Sequence, residues 1–155
     1  IILRVCGDCP LLDPAIVDEI ISSVADEGVV YASNTIERSF PAGLVAEAFT
    51  ATSFDAVDEA AESDRHREHV TQFYHDRSDQ FSVANVTSRD VYDEALMQDR
   101  TDLRFALDVA ADYELLQRVY EAAPRLGMRG GLLDVREVIN YVDECGLDEV
   151  NAHVE

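Results

Sequence analysis

Two aspartates, Asp8 and Asp108, lie at the ends of predicted strands, where they could bind a metal ion. Asp8 follows an apolar run at residues 1–5, Asp108 follows another at 103–107, and each precedes a predicted helix. In open α/β sheets, ligands bind beyond the carboxyl ends of the strands. Two carboxylates brought to that edge could share a Mg²⁺ ion, which takes carboxylate oxygens together with substrate phosphate and water. The alternative is that each aspartate only caps a tight turn or the next helix.

Cysteines and histidines form a second set of candidate groups. Cys6 and Cys9 make a C-x-x-C motif at a predicted strand-to-helix turn, which is the setting of a redox pair. His66 and His69 are three residues apart on a predicted helix that ends near His75, and they could join the cysteines in a zinc site. Their long separation along the chain argues against zinc and favours exposed or hydrogen-bonded histidines. Three cysteines cannot form a closed set of disulfides and fit a reducing cytosol.

Four segments, in the same order along the chain, resemble one family. They are 4–14 (RVCGDCPLLDP), 33–47 (SNT, then FP and Glu47), 67–71 (REHVT) and 104–115 (RFALDVAADYEL). The chain thus resembles the cytidylyltransferases related to spore-coat polysaccharide biosynthesis proteins, which are kin of the acylneuraminate and 3-deoxy-manno-octulosonate cytidylyltransferases. The resemblance implies an α/β fold of the nucleotide-diphospho-sugar transferase type, a three-layer sandwich with a mixed, mainly parallel sheet.

The resemblance also implies a reaction and a site. Such enzymes transfer CMP from CTP to a sugar or sugar acid with Mg²⁺ and release pyrophosphate. Two turn aspartates hold the catalytic Mg²⁺ in relatives, and the matching positions here are Asp8 and Asp108. The expected substrate-binding residues are Arg4, Asn34, Glu47, Arg67 and His69. For Arg67, whose guanidinium could bind a carboxylate as a fork, a salt bridge to the acidic surface is the alternative.

The sequence departs from the family pattern in three places. Val45 stands where the family often has Asp, and Ala110 replaces the usual Pro, which leaves the turn after Asp108 less rigid. The glycine-rich, basic phosphate loop of relatives has no counterpart and would precede Ile1. We therefore expect this chain to lack the N-terminal phosphate-loop portion and to be inactive alone. A non-catalytic sugar-binding or oligomerisation module of the same fold is the alternative function.

The charge of the chain is strongly negative. Its 155 residues include 32 acidic and 12 basic side chains, all 12 of them arginine, for a net charge of −20. Such a chain repels nucleic acid and anionic membrane, so neither is an expected partner. Because salt screens self-repulsion, we expect a halophilic protein in a high-salt cytosol, with an ordinary acidic protein as the alternative. No run approaches the ~20 apolar residues of a membrane span, and no signal peptide opens the sequence.

The elements that must position these groups alternate between strand and helix over a single domain, 1–155. Asp13 and Pro14 predict a helix start by an N-cap and a proline at the first helical position. The expected helices are 14–27, 52–62, 66–75, 111–123 and 134–145, and the expected strands are 1–5, 29–33, 44–50, 81–86 and 103–108. The apolar run 1–5 predicts a buried strand with neighbours on both sides and hence polypeptide before Ile1, with an exposed edge strand as the alternative. By the resemblance, 40–75 is the sugar-side and dimerisation region of a homodimer.

Overall fold

The structure is a computed structural model that describes residues 1–26, 28–61, 63–69 and 71–154. The strands are β1 (Ile2–Val5), β2 (Tyr31–Ser33), β3 (Ala46–Phe49), β4 (Val83–Asn85), β5 (Met128–Arg129) and β6 (Leu132–Leu133). The helices are α1 (Pro14–Ala25), α2 (Ala51–Ala60), α3 (Asp64–Glu68), α4 (Gln72–Asp76), α5 (Ser88–Val91), α6 (Ala110–Ala122) and α7 (Val135–Cys145). Short 3₁₀ turns occupy Ala95–Met97, Ala123–Arg125 and Leu147–Val150. None of the helices in these ranges is both long and apolar enough to cross a membrane.

The main sheet has four strands in the order β1-β3-β2-β4. Strand β3 is antiparallel to both β1 and β2, while β4 is parallel to β2. The expectation of a mixed α/β fold with a mixed sheet is confirmed. The parallel share is smaller than expected, because two of the three strand pairings in the described sheet are antiparallel.

Helices cover this sheet on both faces. Side chains alternate along a strand, so Tyr31 and Phe49, which are paired in register, share one face, while their neighbours Ala32 and Ala48 share the other. The first face packs against α2 and α4 in a mostly aromatic cluster: Tyr31, Phe49, Val57, Phe73 and Tyr74. The second face packs in a larger cluster that includes Ile16 and Ile20 of α1, Leu115 and Val119 of α6, and Val138 and Ile139 of α7. Helix, sheet and helix thus form three layers.

Strand β1 is an edge strand of this sheet. It pairs with β3 alone among the strands that the structure describes, and Ile2, Leu3 and Val5 are exposed. The sequence predicted neighbours on both sides, and the structure has the edge strand that was the alternative.

The segment 103–108 is not a strand, which corrects the sequence prediction. It forms one isolated parallel bridge, between Arg104 and Ala42, and then reaches the turn after β1, where the Leu107 N–H donates to the Asp8 carbonyl at 2.9 Å. The reason is that its backbone groups pair first with the loop at Ala42 and then with that turn. No single neighbouring strand runs beside it.

The capping residues in the sequence predicted the start of α1 correctly, while the start of α2 differs from the prediction. The Asp13 carboxylate accepts from the Ala15 N–H at 2.9 Å, which confirms the predicted N-cap of α1. Helix α2 begins earlier than expected, because the Thr50 hydroxyl at the end of β3 caps it by accepting from the Ser53 N–H at 3.1 Å. Thr52, at which the helix was expected to start, lies inside it.

The remaining differences concern short elements. The predicted helix 66–75 is two helices, α3 and α4, and Val70 between them lies outside the described residues. The region 87–102 was expected to be irregular and contains α5 and a 3₁₀ turn. The β5–β6 hairpin was not predicted, because two-residue strands carry no readable alternation.

Candidate active site

Asp8 and Asp108 are brought to one edge of the fold by the contact between two turns. Cys6 and Cys9 close the first turn through a backbone hydrogen bond of 3.2 Å, and the Leu107 N–H holds the Asp8 carbonyl immediately before Asp108. The charges of both carboxylates affect the pKa of the same thiol, that of Cys9. Burial raises the pKa of Cys9 to about 11, with a backbone bond from Val45 opposing the shift and the charges of Asp8 and Asp108 adding to it. The turn at Asp8 and the residue before Asp108 are therefore in backbone contact, and the joint role of the two aspartates stays a prediction.

The environment of Cys9 bears on the redox prediction. Cys6 and Cys9 are free thiols, and the Cys9 sulfur lies 3.9 Å from the Asp8 carboxylate. Reactive cysteines depend on a lowered thiol pKa, and the pKa of Cys9 is moved in the opposite direction. The surroundings of Cys9 thus disfavour its thiolate form.

The Asp108 carboxylate is half exposed and has one partner among the described side chains. It forms an ion pair with Arg104, and its side chain is 50% accessible. Its backbone N–H donates to the carboxylate of Asp112 at 3.0 Å. The backbone at Asp108 is thus fixed, while its carboxylate keeps room for a further ligand.

Asp112 fixes this turn and was not singled out by the sequence analysis. Its fully buried carboxylate accepts from the Val109 N–H at 3.1 Å, from Arg104 Nε at 3.1 Å and from the Asn151 amide at 2.8 Å. Burial by itself would raise the pKa of Asp112, but the bonds from Asn151, Arg104 and the backbone outweigh it and hold the pKa below its ordinary value. An acidic residue three positions after a helix N-cap was a readable signal, because it can bond back to the cap.

A second buried carboxylate, that of Glu47, lies on the aromatic face of the sheet. Glu47 is 4% exposed and forms an ion pair with Arg4, its cross-strand neighbour. It also accepts from the hydroxyls of Tyr31 at 2.7 Å and Thr71 at 3.1 Å. Since the Tyr31 hydroxyl donates to Glu47, its oxygen accepts from His75 Nε2 at 2.8 Å. We call these five residues, Arg4, Tyr31, Glu47, Thr71 and His75, the Glu47 cluster.

The charge state of Glu47 follows from these bonds. Burial alone would raise its pKa, but the nearby His75 ring, 3.9 Å away, and the hydrogen bonds from Tyr31 and Arg4 outweigh burial and lower the pKa to about 2. Burial and the adjacent Glu47 charge raise the pKa of Tyr31, which therefore keeps its proton. Glu47 is thus a buried anion with a neutral hydroxyl beside it.

The structure joins some of the expected substrate-binding residues and separates others. Arg4 and Glu47 touch, and Thr71, which bonds Glu47, comes two residues after His69. Arg67 and His69 are exposed on and just after α3, and neither side chain pairs with another residue that the structure describes. Both stay predictions as substrate ligands.

The side chain of Asn34 is hydrogen-bonded to the backbone of the protein. Its buried amide donates to the Leu44 carbonyl at 2.6 Å and accepts from the Ala46 N–H at 3.2 Å, which holds the loop that enters β3. A substrate contact through Asn34 stays a prediction and would require the amide to leave one of these bonds.

The donor set at the Asp8–Asp108 edge suits one kind of metal ion. Across the described ranges, no group of three or more His, Cys, Asp or Glu side chains is arranged to hold a metal. Mg²⁺ does not need such a cage, because it is bound by one or two carboxylates and completes its octahedron with substrate phosphate and water. The carboxylates of Asp8 and Asp108, carried by two turns in backbone contact, are of the kind that this ion takes.

A comparison with known proteins supports the fold. No protein-family model and no curated protein sequence matches the chain. A solved structure of a cytidylyltransferase from Leptospira borgpetersenii serovar Hardjo-bovis (strain JB197) is similar, with a TM-score of 0.78 and 22% sequence identity. The match covers 96% of this chain and 58% of that one, so this chain spans little more than half the length of its neighbour. The comparison shows that the α/β fold of this chain is shared with that structure.

Proposed function

We propose that this chain is part of a Mg²⁺-dependent cytidylyltransferase that transfers CMP from CTP to a sugar or sugar acid and releases pyrophosphate. The observation that carries the proposal is the contact of two turns that makes Asp8 and Asp108 neighbours. The chain has this pair in a fold similar to that of a cytidylyltransferase. Nucleotide-sugar and surface-polysaccharide biosynthesis is the corresponding metabolic role.

Asp8 and Asp108 would hold the Mg²⁺ together with phosphate oxygens of CTP. When bound, the ion neutralises charge that develops on the phosphoryl group and orients that group for in-line attack. Arg104, which pairs with Asp108, also binds Asp112 through Nε. It can therefore release Asp108 to a cation and remain anchored by the buried carboxylate.

The direct test is a pyrophosphate-release assay on the product of the complete gene in molar KCl, with CTP, Mg²⁺ and a panel of neutral and acidic sugars. We expect Asp8→Asn and Asp108→Asn to abolish turnover, because each removes a charged ligand of the metal. Asp93→Asn, at an exposed position, is the matched control and should keep wild-type turnover. Wild-type rates in either of the first two variants would exclude the metal assignment.

A binding experiment tests the same site on this chain, which by itself is expected to be inactive. Mn²⁺ in the presence of CTP should lose part of its free electron paramagnetic resonance signal when the chain is added, and the loss should disappear with Asp8→Asn. If the gene product shows no turnover and the chain binds no Mn²⁺, the alternative of a non-catalytic sugar-binding or oligomerisation module replaces the enzyme.

Two further proposals concern the state of the protein. The chain is expected to form a homodimer through residues 40–75, which multi-angle light scattering would measure. It is also expected to work in a high-salt cytoplasm, because its charge of −20 needs screening. The midpoint of thermal unfolding should then rise between dilute and molar KCl, and an unchanged midpoint would contradict the halophilic assignment.

A further inference from the structure

Three hydrogen bonds and burial leave the Glu47 carboxylate little room for a ligand. Oε1 accepts from Tyr31 and lies 3.9 Å from His75 Nε2, while Oε2 accepts from Arg4 and Thr71. A carboxylate offers about four acceptor sites, and this one is 4% exposed. A substrate therefore cannot reach Glu47 without breaking the Glu47 cluster.

Arg4 is in the opposite situation. Its guanidinium has five N–H donors, and among the residues that the structure describes only Glu47 takes one. Its side chain is 38% exposed, and it lies on β1 four residues before Asp8. Its remaining donors are thus available to a ligand from solvent.

Fixed donors of this kind bind oxyanions. Guanidinium groups recognise carboxylate and phosphate through paired, charge-assisted hydrogen bonds, and the geometry matters as much as the charge. Arg4 of β1 is held by the buried carboxylate of Glu47 on β3. That carboxylate is in turn bonded by Tyr31 of β2 and by Thr71, the residue before α4, and His75 of α4 bonds Tyr31. This anchoring lowers the entropy lost when Arg4 orders around a ligand.

We infer that Arg4 is the oxyanion-binding residue of the site and that Glu47, oriented by Tyr31 and Thr71, is a positioning residue that does not touch the substrate. The ligand is a phosphate of the nucleotide or the carboxylate of a sugar acid, which share this chemistry. The inference rests on the proposed function only for the choice between these two sources.

The test is a titration of the ¹⁵N-labelled chain by nuclear magnetic resonance at constant ionic strength. The chain has 12 arginines and no lysine, so Arg4→Lys identifies the Arg4 Nε–H signal by its disappearance. The probes are inorganic phosphate, D-glucuronate and D-glucose. We expect the Arg4 signal to move with phosphate or glucuronate and not with glucose, and the anion that moves it names the source.

Matched variants separate an anion site from general charge. Arg4→Gln should weaken binding of the effective probe at least tenfold. Arg118→Gln removes an arginine that is similarly exposed and also paired with one carboxylate, Glu114, but lies outside the Glu47 cluster, and it should change nothing. An Arg4 signal unmoved by both anions, or equal effects of the two substitutions, would overturn the inference.

The positioning role has its own variant. Thr71→Val keeps the shape of the side chain and removes only the bond to Glu47, so the probe should bind about threefold more weakly, while Thr71→Ser should restore wild-type affinity. Thr101→Val, at an exposed position, is the control. Unchanged affinity in Thr71→Val would contradict a positioning role for Glu47. This result is independent of the turnover assay, so failure of the enzyme proposal leaves the binding result standing.

Discussion

The Asp8–Asp108 edge and the Glu47 cluster use the same kind of side chain in opposite ways. At the edge, the carboxylate of Asp108 is half exposed and has a single described partner, Arg104, which another residue also holds. In the cluster, Glu47 is buried and its carboxylate accepts three hydrogen bonds from neighbouring side chains. At the edge, the carboxylate of Asp108 can still accept bonds from a ligand. In the cluster, the carboxylate of Glu47 is bonded to side chains of the protein itself.

The difference gives a criterion for choosing candidate ligand-binding carboxylates among the 32 acidic residues of the chain. Residue type says little, because most acidic side chains face solvent. A strongly lowered pKa also says little by itself, since the shifts of Glu47 and Asp112 record bonds that are already made. What distinguishes Asp8 and Asp108 is a rigid backbone beside a carboxylate that has unused acceptor sites.

The largest expected effect concerns the backbone that supports the edge. Gly43 has φ +90°, and a Cβ there would lie 2.7 Å from the Ala106 Cα and closer still to the Ala106 N and Phe105 C. Gly43→Ala should therefore lower the free energy of unfolding by about 4 kcal/mol, because backbone cannot yield as a flexible side chain can. Chemical denaturation measures it. Gly130→Ala, which also has positive φ but open space, should cost only about 1 kcal/mol, and equal costs would contradict the close approach.

The second effect concerns the buried carboxylate behind the edge. Asp112→Ala would leave Arg104, the Asn151 amide and the Val109 N–H without their acceptor. We expect a loss of about 3 kcal/mol in the free energy of unfolding, as for the breaking of a buried ion pair. A loss as small as that of an exposed aspartate would show that Asp112 does not anchor the turn.

The third effect is a pH dependence located in the Glu47 cluster. The folded-state pKa of Glu47, about 2, is below its ordinary value of 4.5, so its contribution to stability is complete above about pH 4.5 and is lost as pH falls toward 2. Glu47→Gln should cost about 2 kcal/mol at pH 7, and the difference from wild type should shrink at lower pH. Urea midpoints at pH 7, 5 and 3 measure it. A difference that stays constant over this range would contradict the lowered pKa.

The smallest expected effect on stability is the most informative for function. Asp108→Asn should change the free energy of unfolding by less than about 0.5 kcal/mol, because the ion pair with Arg104 is half exposed. The same substitution should abolish Mn²⁺ binding. A large loss of stability would place Asp108 with Asp112 and Glu47 among the carboxylates that serve the fold.

Much of the candidate site was predictable because its signals are local. The apolar runs before Asp8 and Asp108 placed both at turns, and Asp13 with Pro14 marked the start of α1. Other parts depended on contacts between distant segments. Tyr31 and Thr71 were unremarkable in the sequence, and they matter because β2 and the start of α4 meet at Glu47.

The prediction of a strand at 103–108 was wrong for the same reason. An apolar run shows that a segment is suited to a sheet, but a strand exists only where a neighbour runs beside it. The segment instead bonds the loop at Ala42 and then the turn at Asp8. This irregular path is what places Leu107 against Asp8, so the absence of the strand and the backbone contact between the two turns share one cause.

The sequence by itself determined the charge, the helix caps, the alternation of strands and helices, and the two aspartates at turn positions. These depend on residue type and on spacing of a few residues, which act within one element. Only the tertiary structure decided which carboxylates remain able to bind a ligand. Burial and hydrogen bonding depend on segments that are distant in sequence. Glu47 is 24 residues from Thr71 and 43 residues from Arg4, and no local pattern indicates that they meet.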